Sequence, residues 1–306
     1  MPELPDIELY LGALRPRVLQ QPLARLRLAS AFFLRSVAVA PAALEGHHVI
    51  GLRRMGKRIV LAFEGDLFAV LHLMIAGRLR WLKAGAPIPG RIGLAAFDFP
   101  NGSLIVTESG SRKRASLHIV HGVEALAALD PGGLEVLDTP FESFVDAIRR
   151  ENHTIKRALT DPHLLSGIGN AYSDEILHTA RLSPMALTHA LTDEQLRALH
   201  DACVAVLSGW SDRLREETGD AFPETVTAFR KGMSVHGRHG QPCPRCGAPV
   251  QRIVYASNEA NYCAPCQTGG RLLADRALSR LLRNDWPKTL DELERRKAEY
   301  PGGRSR

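Results

Sequence analysis

No apolar run in this chain reaches the roughly 18 residues needed to cross a bilayer, and no basic-then-apolar leader opens it. These absences point away from a membrane-spanning helix or secretory signal, so the cytosol is the expected compartment. Internal repeats are lacking as well. Cysteine is scarce, with five in 306 residues, four of them in the last quarter and Cys203 alone. In a cytosolic chain a disulfide framework is the weaker reading of such cysteines. Cys203 stands in an apolar helical run with Leu199, Val206 and Leu207 and is expected to be an inert core residue. A strong charge bias is missing too, since Lys plus Arg exceed Asp plus Glu by only 39 − 33 = 6.

What is present is the composition of a soluble globular protein, 45% hydrophobic and 24% charged, long enough for two domains. The basic residues are clustered: Arg53, Arg54, Lys57 and Arg58; Arg112, Lys113 and Arg114; Arg149, Arg150, Lys156 and Arg157; Arg271, Arg276, Arg280 and Arg283. A polyanionic partner such as nucleic acid accounts for that placement, although solvated helix faces account for part of it.

After an opening helix, residues 23–120 read as short strands rich in Val, Ile, Leu and Phe. They are separated by hairpin signals such as Glu64-Gly65-Asp66 and Pro100-Asn101-Gly102, because Gly and Asn tolerate left-handed turns. A β-sandwich or barrel is expected there. "DPGGLEVLD" at 130–138 breaks the chain. The period then becomes helical, with candidate helices at 141–150, 154–160, 170–180 and 192–217, the last opened by a Thr192/Gln195 capping box. "RLLADRALSRLLRN" is a further helix-like stretch, and the tail "RRKAEYPGGRSR" is expected to be disordered.

Three motifs carry chemistry. Cys243-Pro-Arg-Cys246, sixteen residues, then Cys263-Ala-Pro-Cys266 can present four thiolates tetrahedrally to one structural Zn²⁺, with a β-hairpin between the pairs. Such a closed site is a scaffold rather than a catalyst. "LLSGIGNAYSDEIL" has the layout of a helix–turn–helix with Asn170 capping its second helix; exposed turn amides, with Lys156 and Asn170, would suit a DNA phosphate. At the amino terminus, removal of Met1 would leave Pro2 as a free secondary amine beside the Glu3 carboxylate. That is either a plain helix start or a nucleophile with an acid next to it.

Taken in order, "PELPDIE", "GIGNAYSDEIL" and "CPRC…YCAPCQ" resemble the formamidopyrimidine-DNA glycosylase/endonuclease VIII family of DNA repair enzymes over nearly the whole chain. The resemblance implies a bifunctional glycosylase/abasic-site lyase of base excision repair that removes oxidised bases. Pro2 would attack C1′ and form a Schiff base, Glu3 would transfer a proton during ring opening, and β,δ-elimination would follow. Lys57 matches a hairpin-turn lysine reaching into the active site. "LHLMIAGRL" matches a segment placing His72 on a phosphate and Met74 in the duplex, and Arg112 would contact the orphaned partner base. The implied fold is α+β and multidomain: an N-terminal helix plus two-sheet β-sandwich (1–130), a helical helix-two-turn-helix domain (131–232), then a zinc β-hairpin finger with a helical tail (233–306). The expected partner is damaged double-stranded DNA, bent in a basic cleft between the domains with the lesion flipped out, bound by a monomer that needs no membrane and no small-molecule cofactor.

This chain departs from the family pattern in three places. An aromatic wedge usual after the second hairpin is replaced by Arg114. The finger position usually held by a phosphate-binding arginine is Asn258, with Arg252 or Arg271 as candidate substitutes. The loop covering an oxidised purine is replaced by "GDAFPETVTAFRKGM". Alternative readings are the same fold acting mainly as an abasic-site lyase or on oxidised pyrimidines, a catalytically inactive damaged-DNA-binding protein, and, more remotely, a zinc-ribbon RNA-associated protein.

Overall fold

The computed structural model describes residues 1–255, 258–274 and 285–299. Two compact units emerge: Met1–Glu135 with Asp161–Ile168 and Leu207–Ala228, and Val136–Thr160 with Gly169–Val206 and Phe229–Arg306.

The first unit begins with α1 (Leu4–Val18), whose Leu4, Ile7, Tyr10, Leu11, Leu14 and Val18 form one buried stripe at helical spacing. Its start is an acidic capping box: Glu3 accepts the Asp6 N–H, while Asp6 Oδ2 accepts the Glu3 N–H at 2.9 Å. Strands β1 (Arg25–Leu28), β2 (Val49–Met55), β3 (Arg58–Phe63), β4 (Leu67–His72), β5 (Gly77–Leu82), β6 (Gly93–Phe99), β7 (Gly102–Glu108) and β8 (Ser116–His121) follow. They form two four-stranded antiparallel sheets, ordered β1-β6-β7-β5 and β2-β3-β4-β8. The α1 stripe joins both in one core with Leu61, Phe63, Phe97, Leu104 and Ile119. A short helix, α2 (Val123–Ala127), follows β8.

Both expected hairpins form, by different physics. At Glu64-Gly65-Asp66 the left-handed backbone is real, with φ +71° at Gly65 and +54° at Asp66. At Pro100-Asn101-Gly102 it is not needed. There a Cβ on Gly102 would lie 2.4 Å from the Trp81 ring of β5, so glycine is required by close approach.

The second unit holds α3 (Phe141–Arg149), α4 (Ile155–Thr160), α5 (Asn170–Thr179) and the first part of α6 (Asp193–Thr218), each close to its expected span. The Thr192/Gln195 capping box is present in both directions, at 3.0 and 3.2 Å. Strands β9 (Gln251–Tyr255) and β10 (Asn258–Tyr262) make the finger hairpin, followed by α7 (Ala264–Thr268). A last helix, α8 (Leu290–Glu299), covers Arg295–Glu299, the first part of the tail expected to be disordered. At its start the Thr289 hydroxyl accepts the Glu292 N–H at 3.3 Å and Glu292 accepts the Lys288 N–H at 2.6 Å, contacts that favour a helix start here. The stretch 275–284, with Arg276, Arg280 and Arg283, lies outside the described residues. Cys203 is fully buried in α6, and burial pushes its thiol pKa up, as suits an inert core residue.

Candidate active site

The amino terminus is enclosed by its own unit. Pro2 is buried and Glu3 is 2% exposed. Leu4 N–H donates to Gly167 O at 2.9 Å. Gly167 (φ +80°) cannot be replaced there without collision, because a Cβ would lie 2.8 Å from Leu4 Cβ. Lys57 follows Gly56 (φ +61°) in the two-residue β2–β3 turn, where glycine at the first position supplies the left-handed backbone. Lys57 Nζ donates to Ile168 O at 2.7 Å. The Gly-Ile-Gly turn thus offers this site its carbonyls. Residues 164–169 are buried, where an exposed turn was expected.

Arg54 fastens these pieces. Its guanidinium donates to Glu8 (3.0 Å), Ser166 Oγ (3.1 Å), Gly56 O (3.0 Å) and Glu135. Arg58 donates to Leu129 O. Of the basic cluster at 53–58, Arg53 alone is exposed; the others are spent on internal acceptors rather than held for a polyanion. Sequence reasoning missed Arg54, Glu135 and Ser166 because their pairing spans 81 and 112 residues.

Electrostatics at the terminus favour an unprotonated amine. With Met1 in place, burial lowers the pKa of its α-amine below 8.0; Arg78 and Lys57 add to the fall, while Glu3 and Asp6 oppose it. Burial also lowers Lys57 against the pull of Glu3. His72, at the end of β4, is pushed to about 4 by burial and by Arg58, Lys57 and His118, so it is neutral near pH 7. Its Nε2 is buried without a hydrogen-bond partner.

The β4–β5 loop carries Met74 and Ile75. Met74 is half-buried with φ +51°, a left-handed conformation unusual for a long side chain, whereas Ile75 is 60% exposed at the tip. The loop is closed by Gly77, whose Cβ would lie 2.2 Å from Leu73 O. Next to it runs the 109–115 loop, since Gly77 of β5 pairs with Glu108 of β7. Glu108, 2% exposed, accepts the backbone N–H groups of Arg114 (2.9 Å) and Ala115 (3.1 Å), which leaves Arg112 and Arg114 exposed. The segment replacing the usual lesion loop is anchored in the same unit: Phe222 packs 6.0 Å from Tyr10 under Arg17, and Val226 joins the core.

In the second unit, Asn170 is the first residue of α5, after an extended Gly169 cap, and does not cap it; its amide donates to Glu259 O at 2.8 Å. Lys156 is buried, with Nζ on Asn170 O (2.8 Å) and Asp174 Oδ1 (2.5 Å). The Asn258 side chain lies outside the described residues. Arg252 sits across from Asn261 and 3.6 Å from Glu259, which offsets part of its charge; Arg271 is exposed.

Cys243, Cys246, Cys263 and Cys266 bring their four Sγ atoms within 4.8 Å of one another. A tetrahedral Zn²⁺ with about 2.3 Å bonds separates its sulfurs by about 3.8 Å, so the four fit one zinc ion. Burial opposes ionisation of Cys243, but the N–H groups of Arg245 and Cys246 and the neighbouring thiols more than offset it, placing that thiol below its usual range.

Comparison with known proteins agrees with this geometry. Residues 1–115 match the formamidopyrimidine-DNA glycosylase N-terminal domain, 133–210 the formamidopyrimidine-DNA glycosylase H2TH domain, and 240–269 a zinc finger found in FPG and IleRS. The formamidopyrimidine-DNA glycosylase of Thermus thermophilus is 32% identical over 285 residues, covering 88% of this chain and all of that protein. An uncharacterised formamidopyrimidine-DNA glycosylase-like protein of Mycobacterium tuberculosis is 42% identical over 151 residues, 49% of this chain and 94% of its own. Among solved structures, the Thermus thermophilus MutM (FPG) protein superposes with TM-score 0.72 at 30% identity, covering 87% of this chain and 98% of that one. A Lactococcus lactis FPG variant bound to Fapy-dG DNA gives 0.75 at 25% identity, covering 87% and 100%. A buried amino-terminal centre, an H2TH segment and a four-cysteine finger in this order, with full-length relatives at this identity, make the chain a member of the formamidopyrimidine-DNA glycosylase family, the DNA glycosylases of base excision repair.

Proposed function

We propose that this glycosylase is bifunctional, removing an oxidised base from duplex DNA and cutting the strand through a Schiff base on Pro2, and that it does so as a cytoplasmic monomer. Once Met1 is removed, the secondary amine of Pro2 attacks C1′, and the damaged base leaves with a proton. Glu3 protonates O4′ as the sugar opens, giving the iminium. Loss of a C2′ proton expels the 3′ phosphate, and a second elimination expels the 5′ phosphate; water then frees Pro2.

One observation carries the proposal: a buried α-amine held beside Glu3 and Lys57 with its pKa below the usual 8.0. Pro2 is itself buried, so burial is expected to lower the amine freed there by removal of Met1. An unprotonated amine is the nucleophile, so activity should rise with pH through a value below about 8. Lys57, whose Nζ rests on Ile168 O, favours a deprotonated neighbour and can shuttle protons to the opening sugar. Zn²⁺, held by the four cysteines, supplies structure to the finger and takes no part in the chemistry.

Ile75, exposed where Met74 is half-buried, is the side chain that enters the stack beside Arg112 in this reading. With Arg114 where an aromatic is usual, the wedge is aliphatic and slight, which favours lesions that unstack readily: abasic sites and oxidised pyrimidines. Borohydride trapping on duplexes carrying an abasic site, 8-oxoguanine or an oxidised pyrimidine, with mass spectrometry of the adduct, tests the reading. A cross-link at Pro2 on a base lesion is the expected result. Trapping on the abasic duplex alone would leave a lyase, and no adduct with Met1 confirmed absent would leave a DNA-binding protein.

A further inference from the structure

We propose that His178 is a positioning residue of the zinc centre, donating a hydrogen bond from Nε2 to the Cys243 thiolate and so coupling α5 to the metal. His178 lies in the last turn of α5, 3% exposed, with Nε2 3.3 Å from Cys243 Sγ. A zinc-bound sulfur carries no proton, so the hydrogen of this contact belongs to the imidazole, which fixes the Nε2–H tautomer. Four thiolates around one Zn²⁺ leave a net negative centre. A buried N–H directed at one sulfur draws charge from it, making that sulfur a poorer base and a poorer nucleophile toward anything that would displace the metal.

The contact belongs to a larger clasp. Arg245, between the two cysteines of the first knuckle, donates to His178 O at 3.0 Å. In the second knuckle Gln267 donates to Leu182 O at 2.9 Å, while its Oε1 accepts the Cys263 N–H at 2.8 Å. The start and middle of α5 are held by the segment that enters the finger: Asp174 meets His236 Nδ1 at 2.8 Å, and Glu175 accepts the N–H groups of Ser234, Val235 and His236 at 2.7–2.9 Å. Both knuckles therefore dock on the 178–182 segment. His178 is the one side chain of α5 that reaches a metal ligand in these contacts. The helix is thereby braced by zinc, and zinc by the helix.

The test is zinc transfer from the purified holoprotein to a colorimetric chelator, comparing the native chain with H178F, which fills the volume without a donor, and H178Q, whose amide N–H reaches a similar position. H178F is expected to hold zinc about 10–100-fold more weakly, with H178Q within a few-fold of the native chain. Cadmium-113 substitution of the native protein supplies an independent readout, a scalar coupling from the metal to a histidine Nε2 proton across the N–H···S bond. Zinc retention by folded H178F equal to that of the native chain would overturn the proposal. So would a cadmium spectrum with couplings to backbone amides and cysteine protons alone, which needs no variant to fold. Neither readout depends on catalysis, so failure here is separate from failure of the Pro2 mechanism.

Discussion

The zinc finger and the amino-terminal centre are built on opposite plans. Four ligands of the finger fall within residues 243–266, and their spacing alone nearly defines the site. The amino-terminal centre draws Pro2, Glu3 and Asp6 from one end, Arg54 and Lys57 from a hairpin, Glu135 from a connection and Ser166–Ile168 from a turn. A site assembled locally is broken by its own residues, whereas one assembled over long distances is also broken by residues that never touch substrate.

The largest effect should come from the amine itself. A non-cleavable amino-terminal extension, which turns the Pro2 nitrogen into a peptide nitrogen, should abolish borohydride trapping while leaving zinc content and thermal unfolding unchanged. Glu3→Gln comes next, lowering strand cleavage by roughly 10²–10⁴-fold as expected for loss of a general acid. It should also move the acid limb of the pH–rate profile down, because Glu3 raises the neighbouring amine. Lys57→Met should move the limb up, since Lys57 lowers the amine. Opposite displacements in a trapping-rate series across pH 5–9 would establish which charge acts on the nucleophile; shifts in the same direction would sink the assignment.

On the other side of the comparison, Cys263→Ser should lose zinc and cut DNA affinity. The spectroscopic signature of the β-sandwich should stay intact, because its core draws on residues of the first unit alone. A variant that bound damaged DNA as tightly as before would contradict the finger's role.

This contrast also explains how much of the protein could be read beforehand. The helices at 141–149, 155–160, 170–179 and 193–218, the two hairpins and the four-cysteine set follow from periodicity, turn chemistry and spacing, which are local properties. Pro2, Glu3 and Lys57 became legible through three motifs in a family's order, and their roles still await the trapping experiments. What escaped were the groups whose partners lie far along the chain. Arg54 reads as part of a basic patch and is an internal clasp. Lys156 reads as a phosphate contact, and its internal partner Asp174 is not legible in the spacing. Asn170 reads as a cap and instead donates to Glu259 O across 89 residues. A charge in a sequence does not reveal whether the fold will spend it inside.

Gly167→Ala sharpens the comparison further. The residue belongs to a helix–turn–helix signature, yet its added methyl would strike Leu4 Cβ, and its φ of +80° disfavours a side chain. Strain of about 1–3 kcal/mol is expected, visible as a lower unfolding midpoint and slower trapping, with zinc release unchanged. Faster zinc release without slower trapping would show that the turn serves the finger instead.

The smallest effect lies in the β4–β5 loop, where two neighbours should separate cleanly. Ile75→Ala removes an exposed side chain, so stability should hold. If Ile75 is the wedge, the loss of about 1–2 kcal/mol of transition-state stabilisation would lower kcat/KM on a base lesion roughly 5- to 30-fold, and less on an abasic duplex that is already partly unstacked. Met74→Gly removes a longer apolar chain but relieves a left-handed backbone, so relief and the extra freedom of glycine should nearly cancel, within about 1 kcal/mol. Its kcat/KM should change less than that of Ile75→Ala. The reverse order would return the wedge to Met74 and imply that DNA draws that side chain out of its half-buried position.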